Sequence, residues 1–228
     1  MLQMMNVSKV YPSGSVALQS ININIAPGEF VFVVGPSGAG KSTFIKMLFK
    51  EVIPSSGTIL VNGVNINKLE HKEIPYLRRQ LGIIFQDYRL LPDRTVFENV
   101  AFAMQVIEAP KRKIRRRVSE VLNMVGLRSR HHAYPSELSG GEQQRIAIAR
   151  AIVNDPKLVI ADEPTGNLDP DTARDIMRIF NEINASGTTI IMATHDKEIV
   201  NEMSRRVVAI EHGHIVRDEK NGVYGYEL

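Results

Sequence analysis

Gly35-Pro36-Ser37-Gly38-Ala39-Gly40-Lys41-Ser42 is the segment of this chain with the most direct chemistry. Its glycines free backbone N–H groups to wrap around phosphates. Lys41 supplies positive charge to the β- and γ-phosphates of a nucleotide, and Ser42 supplies a hydroxyl for Mg²⁺. Far downstream, the apolar run Leu158 to Ala161 leads into Asp162-Glu163. An acid at the C-terminal end of a strand lies where α/β sheets bind ligands. Asp162 is then placed to hold Mg²⁺, directly or through water, and Glu163 is free to orient or deprotonate a water attacking the γ-phosphate. His195, just beyond the apolar run Thr188 to Ala193, could donate a hydrogen bond to that phosphate. Gln86, after Leu81–Phe85, is also at a strand end. Tyr11 could stack on a base, although a tyrosine beside a β layer is more often a packing residue.

A second glycine pair follows in Leu138-Ser139-Gly140-Gly141-Glu142. Ser139 can cap a helix and Glu142, three residues on, can bond back to it, so the segment reads as a capping box. The apolar run Ile146 to Ile152 carries that helix onward. A helix start without side chains at Gly140 and Gly141 offers a candidate second phosphate site. An ordinary capped helix is the plainer reading of the same residues.

These residues need elements to hold them. Ile21, Ile23 and Ile25 alternate with Asn22 and Asn24, which predicts a strand with one buried face. Pro27-Gly28 is a turn, and Phe30 to Val34 reads as a strand buried on both faces, immediately before the phosphate loop. Thr43 to Lys50 predicts the helix after it. Asn62-Gly63 between Gly57–Val61 and Val64–Ile66 is a hairpin signal. An antiparallel β layer therefore precedes and overlaps a parallel α/β core.

The middle, from Leu91 to Asp155, reads as helical. Ile114, Val118, Val121, Leu122 and Val125 recur at helical spacing, and Gly126 can end that helix. Lys111 to Arg117 forms its basic face, a pattern most often simply solvated. The last third returns to strands, with a helix from about Thr172 to Ile183 and a hairpin around Gly213. His212 and His214, two apart, are expected on one strand face without a third metal ligand.

Composition narrows the class. No run of ~18 uncharged apolar residues exists to span a membrane, and Met1 to Val10 lacks the apolar core of a signal peptide. Without cysteine the chain has neither disulfides nor thiolate metal sites. A net charge of +3 gives no argument for nucleic acid, and no nucleic-acid partner is expected.

The ordered set of motifs (phosphate loop 35–43, Gln86, signature 138–142, acidic strand 158–163, the turn Asn167-Leu168-Asp169, and His195) resembles the ABC ATPase family over essentially the whole chain. The resemblance implies one ABC-type nucleotide-binding domain over 1–228. A RecA-like parallel-sheet P-loop core with an antiparallel β subdomain would span about 1–87 and 156–228. A helical subdomain, about 88–155, would be inserted between them. It implies that ATP and Mg²⁺ bind between two copies of the chain in an ATP-bound homodimer. One copy would contribute Tyr11 on adenine, Gly35 to Thr43 on the phosphates, and Ser42, Gln86 and Asp162 at the metal. The other would contribute Ser139, Gly140, Gly141 and Glu142, with 167–169 at the interface. Glu163 would be the catalytic base and His195 would contact the γ-phosphate. Glu142 stands where many members carry Gln.

Arg78 to Asp87, Asp93 to Val100 and Arg115 to Val118 resemble the cell-division ATPases of that family. That likeness implies an FtsX-like integral membrane partner and a place on the cytoplasmic face of the membrane at the division site. It also implies indirect control of a peptidoglycan hydrolase or its activator. Leu90-Leu91-Pro92, Glu142 and Pro164 to Asp169 are shared with lipoprotein-release and macrolide-export ATPases, which leaves an exporter subunit as the alternative.

Overall fold

The computed structural model describes residues 1–225. β1 (Leu2–Val10) and β2 (Val16–Ile25) form an antiparallel pair in which Ile21, Ile23 and Ile25 are buried and Asn22 and Asn24 exposed. After the Pro27-Gly28 turn, β3 (Phe30–Val34) enters a different sheet and leads through the glycine-rich loop into α1 (Lys41–Leu48). β4 (Ser56–Val61) and β5 (Val64–Asn65) turn at Asn62-Gly63 and complete a four-stranded antiparallel layer, ordered β2-β1-β4-β5. Ile66, expected in the second strand of that hairpin, instead begins a 3₁₀ turn.

After α2 (Ile74–Arg79), β6 (Leu81–Ile84) is the edge of the central sheet. The helical middle follows as α3 (Val96–Val106), α4 (Lys111–Met124) and α5 (Gly140–Ile152). The chain then alternates β7 (Leu158–Asp162), α6 (Pro170–Ala185), β8 (Thr189–Ala193), α7 (Lys197–Met203), β9 (Arg206–Glu211) and β10 (His214–Glu219). The sheet order is β10-β9-β3-β8-β7-β6, parallel except for the antiparallel β10. His212 lies in the turn before β10 at φ 47°, so it does not share a strand face with His214. Among the described residues no group of three His, Asp or Glu could hold a metal ion.

The continuous apolar run of β3 is explained by two cores. Phe30, Phe32 and Val34 pack under the helical middle, while Val31 and Val33 face α1 and the antiparallel layer. β7 and β8 divide the same way: Val159, Ala161, Ile190 and Met192 face one core, and Leu158, Ile160, Ile191 and Ala193 the other. A strand covered on both faces has no polar face to alternate with. The loops that carry chemistry emerge at the C-terminal ends of these strands.

Side-chain caps fix where the helices begin. Thr95 and Glu98 form a reciprocal capping box at α3, with Glu98 N donating to Thr95 Oγ1 and Thr95 N to Glu98 Oε2. Asp169 caps α6, which therefore starts at Pro170, two residues before the helix read from periodicity. α4 buries Ile114, Val118, Val121 and Leu122 and exposes most of its basic face. Arg117 is the exception: it reaches the Val153 carbonyl and the Asp155 carboxylate.

Candidate active site

The phosphate loop begins where β3 ends and closes into α1. Gly40, the residue before α1, sits at φ 110°, and a Cβ there would lie 2.4 Å from the Ala17 carbonyl oxygen. Only glycine fits, and no side chain caps the helix. The first amides of α1 thus stay free for an anion, with the positive end of the helix dipole behind them. They face a cavity of about 690 Å³ lined by Gly35, Pro36, Ser37, Gly38, Gly40, Lys41, Ser42 and Thr43. Tyr11, Gln86, Glu163 and His195 line the same cavity.

Lys41 curls over its own loop, donating from Nζ to the Gly35 and Pro36 carbonyls at 2.8 and 3.1 Å. Its charge is therefore held at the cavity wall. The Tyr11 hydroxyl is 3.1 Å from Thr43 Oγ1, at the mouth of the cavity. Ala39 is turned away: it is buried in the core beneath the loop, and its carbonyl accepts from Gly213 N at 3.2 Å.

Glu163 does not stand free as expected. Its carboxylate accepts from His195 Nδ1 at 2.8 Å and from the His195 amide at 3.3 Å. The pair joins the ends of β7 and β8, and Glu163 N donates to the Ala193 carbonyl. Because a carboxylate only accepts, the ring proton sits on Nδ1, which leaves Nε2 facing outward. Glu163 holds this geometry at φ 50°, a strained conformation for a side-chain-bearing residue of the kind concentrated at functional sites.

Asp162 opens into a neighbouring cavity of about 320 Å³ with Lys46, Asp87, Arg89 and Asn167. Gln86 lines both cavities and forms the wall between them. Burial, and then the adjacent Glu163 charge, push the Asp162 carboxyl above its ordinary pKa, partly opposed by Lys46, Lys41 and Arg89. Ser42, Gln86 and Asp162 offer hydroxyl, amide and carboxylate oxygens, the hard donors Mg²⁺ takes. Two adjacent carboxylates, one of them desolvated, are a charge load that a divalent cation relieves.

The signature segment lies elsewhere. None of residues 138–142 lines the phosphate cavity of its own chain. The capping box is formed: Glu142 N donates to Ser139 Oγ at 3.2 Å and Ser139 N to Glu142 Oε2 at 2.9 Å. The backbone hydrogen bond from Ser139 holds the Glu142 carboxyl below its usual range. The two glycines differ. Gly140 is half-exposed, beside Tyr88 and Leu168, whereas Gly141 is buried, and a Cβ on it would lie 2.4 Å from Thr172 Cγ2. Gly141 is thus required by packing of α5 on α6 within one chain. Leu168 and Asp169 sit at that same junction.

Three groups escaped the sequence reading. Lys46 and Arg89 act on Asp162 only through the fold. Tyr224, from the segment after β10, lines the phosphate cavity, and nothing in its sequence surroundings signals that.

The family described as ABC transporter matches residues 18–166. The chain belongs to the ABC transporter ATPase family. This ABC ATPase is 58% identical over 225 residues to the cell division ATP-binding protein FtsE of Bacillus subtilis, covering 99% of each chain. It is 56% identical over 226 residues to FtsE of Streptococcus pneumoniae strain D39, covering 99% of this chain and 98% of that one. Among solved structures it resembles a dimeric ATP-binding cassette in a post-hydrolysis state bound to ADP and Pi. There the TM-score is 0.88 at 34% identity, with 99% of this chain and 100% of that chain covered. The chain is an ABC ATPase of cell division. No helix among the described residues is long and apolar enough to cross a membrane.

Proposed function

We propose that this ABC ATPase hydrolyses ATP in a site closed between two copies of the chain and passes the closure to a membrane partner of the FtsX type, which controls peptidoglycan hydrolysis. The observation that carries the reading is a division of parts. One cavity gathers the phosphate loop, Tyr11, Gln86, Glu163 and His195, while the capped start of α5 sits outside it with Ser139 and Gly140 toward the surface. A second copy supplies what the first lacks, consistent with the dimeric relative bound to ADP and Pi.

In this reading Lys41 leaves its loop carbonyls for the β- and γ-phosphates, and the free α1 amides bind the same oxygens. Tyr11 stacks on the adenine. Ser42, Gln86 and Asp162 hold Mg²⁺, which neutralises charge on the phosphates. Glu163 accepts the proton of the attacking water. His195, steadied through Nδ1 by that carboxylate, presents its other ring nitrogen to the terminal phosphate, donating when the ring is protonated. Ser139 and Gly140 of the second copy approach the phosphates from the opposite side, and 167–169 meet at the interface.

In this reading the membrane partner seats on an exposed apolar surface of the chain. Tyr76, Phe102 and Val106 are 62%, 46% and 40% exposed, more apolar surface than isolated residues explain. Phe102 and Val106, together with Arg78, Arg150 and Pro75, the chain neighbour of Tyr76, line a cavity of about 400 Å³. Its floor includes Leu81 and Ile83 of β6, the strand that runs into Gln86. Turnover of ATP by Lys41→Ala at the normal rate would overturn the site assignment; loss of turnover is expected. Purification from membranes tests the role. An FtsX-like chain supports it, and an exporter with a large periplasmic domain overturns it.

A further inference from the structure

Tyr224 reaches the phosphate cavity on a strap that returns after β10. The strap is fastened at several points. The Arg217 guanidinium donates to the Val223, Tyr224 and Gly225 carbonyls at 2.7, 2.8 and 2.8 Å. Tyr224 N donates to Asn201 Oδ1 on α7 at 2.7 Å, and Gly222 N to the Arg205 carbonyl at 3.0 Å. Lys197 Nζ, also on α7, lies 5.6 Å from the ring centroid. The side chain so placed shares the cavity with Lys41, Glu163 and His195. Its hydroxyl lies close to the backbone of Gly35, the first residue of the phosphate loop, and Gly35 lines the same cavity. Burial, and then the Glu163 charge, hold the phenol above its ordinary pKa, so it stays a neutral hydroxyl with a proton to donate.

We infer that Tyr224 is a positioning residue of the hydrolytic site: the strap holds its hydroxyl in the phosphate cavity as a donor, between the opening of the phosphate loop and the Glu163 side. The inference rests on the ATPase site proposed above. α7 follows directly on His195 through its capping residue Asp196, which accepts from Ile199 N. The helix that holds Tyr224 through Asn201 and Lys197 is therefore the one that His195 leads into. Tyr224, His195 and Glu163 thus form one connected wall, built from β7, the β8–α7 turn and the strap.

The test uses the full-length chain as Tyr224→Phe, with Asn201→Ala and Lys41→Ala alongside. Tyr224→Phe keeps the ring and loses only the hydroxyl. Its kcat for ATP should fall roughly three- to tenfold, the factor one ordinary hydrogen bond carries. KM, the affinity for a fluorescent ATP analogue, and Tm should stay close to wild type. Asn201→Ala, which removes the strap's hydrogen bond to α7, should lower kcat in the same way with KM preserved. A Tyr224→Phe enzyme with wild-type kcat, or a faster one, overturns the inference. Normal turnover by Lys41→Ala overturns the underlying site instead, so the two failures are distinguishable.

Discussion

Gly141→Ala separates two reasons for the second glycine of the signature. The added Cβ would lie 2.4 Å from Thr172 Cγ2, but 3.8 Å from Thr172 Cβ and Oγ1, so a single methyl makes the clash. That methyl has little freedom. Thr172 is β-branched, and its amide is tied to Asp169 Oδ1 by the α6 cap. Overpacking of this kind costs about 1–3 kcal/mol. Replacing glycine with alanine in a helix returns up to about 1 kcal/mol. The net loss is about 1–2 kcal/mol, roughly 2–8 °C in Tm for a chain of this length. Circular dichroism melting of the purified protein measures it. Thr172→Ser removes the clashing methyl while keeping the hydroxyl, so Gly141→Ala/Thr172→Ser should recover most of the lost stability. Steady-state ATPase then reads the second role. If stability returns and turnover returns with it, Gly141 serves α5–α6 packing alone. If stability returns and turnover does not, the phosphates of the facing copy also need a bare backbone there. An unchanged Tm for the single variant, or no rescue by Thr172→Ser, refutes the packing argument.

Glu163→Gln should bind ATP, lose at least about 10²-fold in turnover as expected for a general base, and run as a dimer with ATP on size exclusion; normal turnover would remove Glu163 from that role. Asp162→Asn should abolish Mg²⁺-dependent hydrolysis yet raise Tm slightly at neutral pH. The sign follows from a folded-state pKa raised above its unfolded value: the charged carboxylate is a cost above that unfolded pKa, and protonation as pH falls relieves it. The gain should therefore shrink in acid melts, and a lower Tm at neutral pH would contradict it. Asn99→Ala should be among the more damaging substitutions outside the site. Asn99 is fully buried, accepts from Leu91 N at 2.8 Å, and donates to the Leu91, Arg94 and Thr95 carbonyls. Leaving those groups unpaired should cost about 2–4 kcal/mol, measured by urea unfolding.

What could be read from the sequence was local or periodic. The phosphate loop is contiguous, its glycines are set by backbone conformation, and the strand before it is apolar because both faces are covered. The capping box at Ser139 and Glu142 spans three residues and formed as its spacing requires. The hairpin at Asn62-Gly63 is likewise a turn written in two residues. What escaped depends on side chains brought together by the sheet. Glu163 and His195 are 32 residues apart, and only the β7–β8 pairing makes them partners. Asp162 and Glu163 are adjacent, yet the strand pleat and the left-handed backbone at Glu163 send them into separate cavities. Gly141 looked interchangeable with Gly140 until α6 was packed against it. Tyr224 follows no period and carries no motif; only the strap's hydrogen bonds bring it to the phosphate loop.

A proposed link between the exposed groove and the nucleotide can be followed through one side chain. Arg150, on α5, donates to the Arg89 and Tyr88 carbonyls at 2.6 and 2.8 Å. Those residues follow Gln86, and Tyr88 and Arg89 adopt positive φ, so this turn has a specific shape that the guanidinium holds. The Tyr88 hydroxyl in turn lies against Gly140, where a Cβ would be 3.1 Å away. The loop after Gln86 therefore touches α5 at both ends: at its start through Tyr88 and near its far end through Arg150. Arg150 also lines the groove beside Phe102 and Val106. Its burial makes the guanidinium costly to leave unpaired, which favours movement of loop and helix together over separation. Arg150→Ala should then leave ATP binding at the phosphate loop near wild type and weaken the stimulation of turnover by the membrane partner. Arg150→Lys, which keeps the charge but cannot span both carbonyls with a planar fork, should restore little of it. Full stimulation of either variant would show that the groove and the signature communicate by another route.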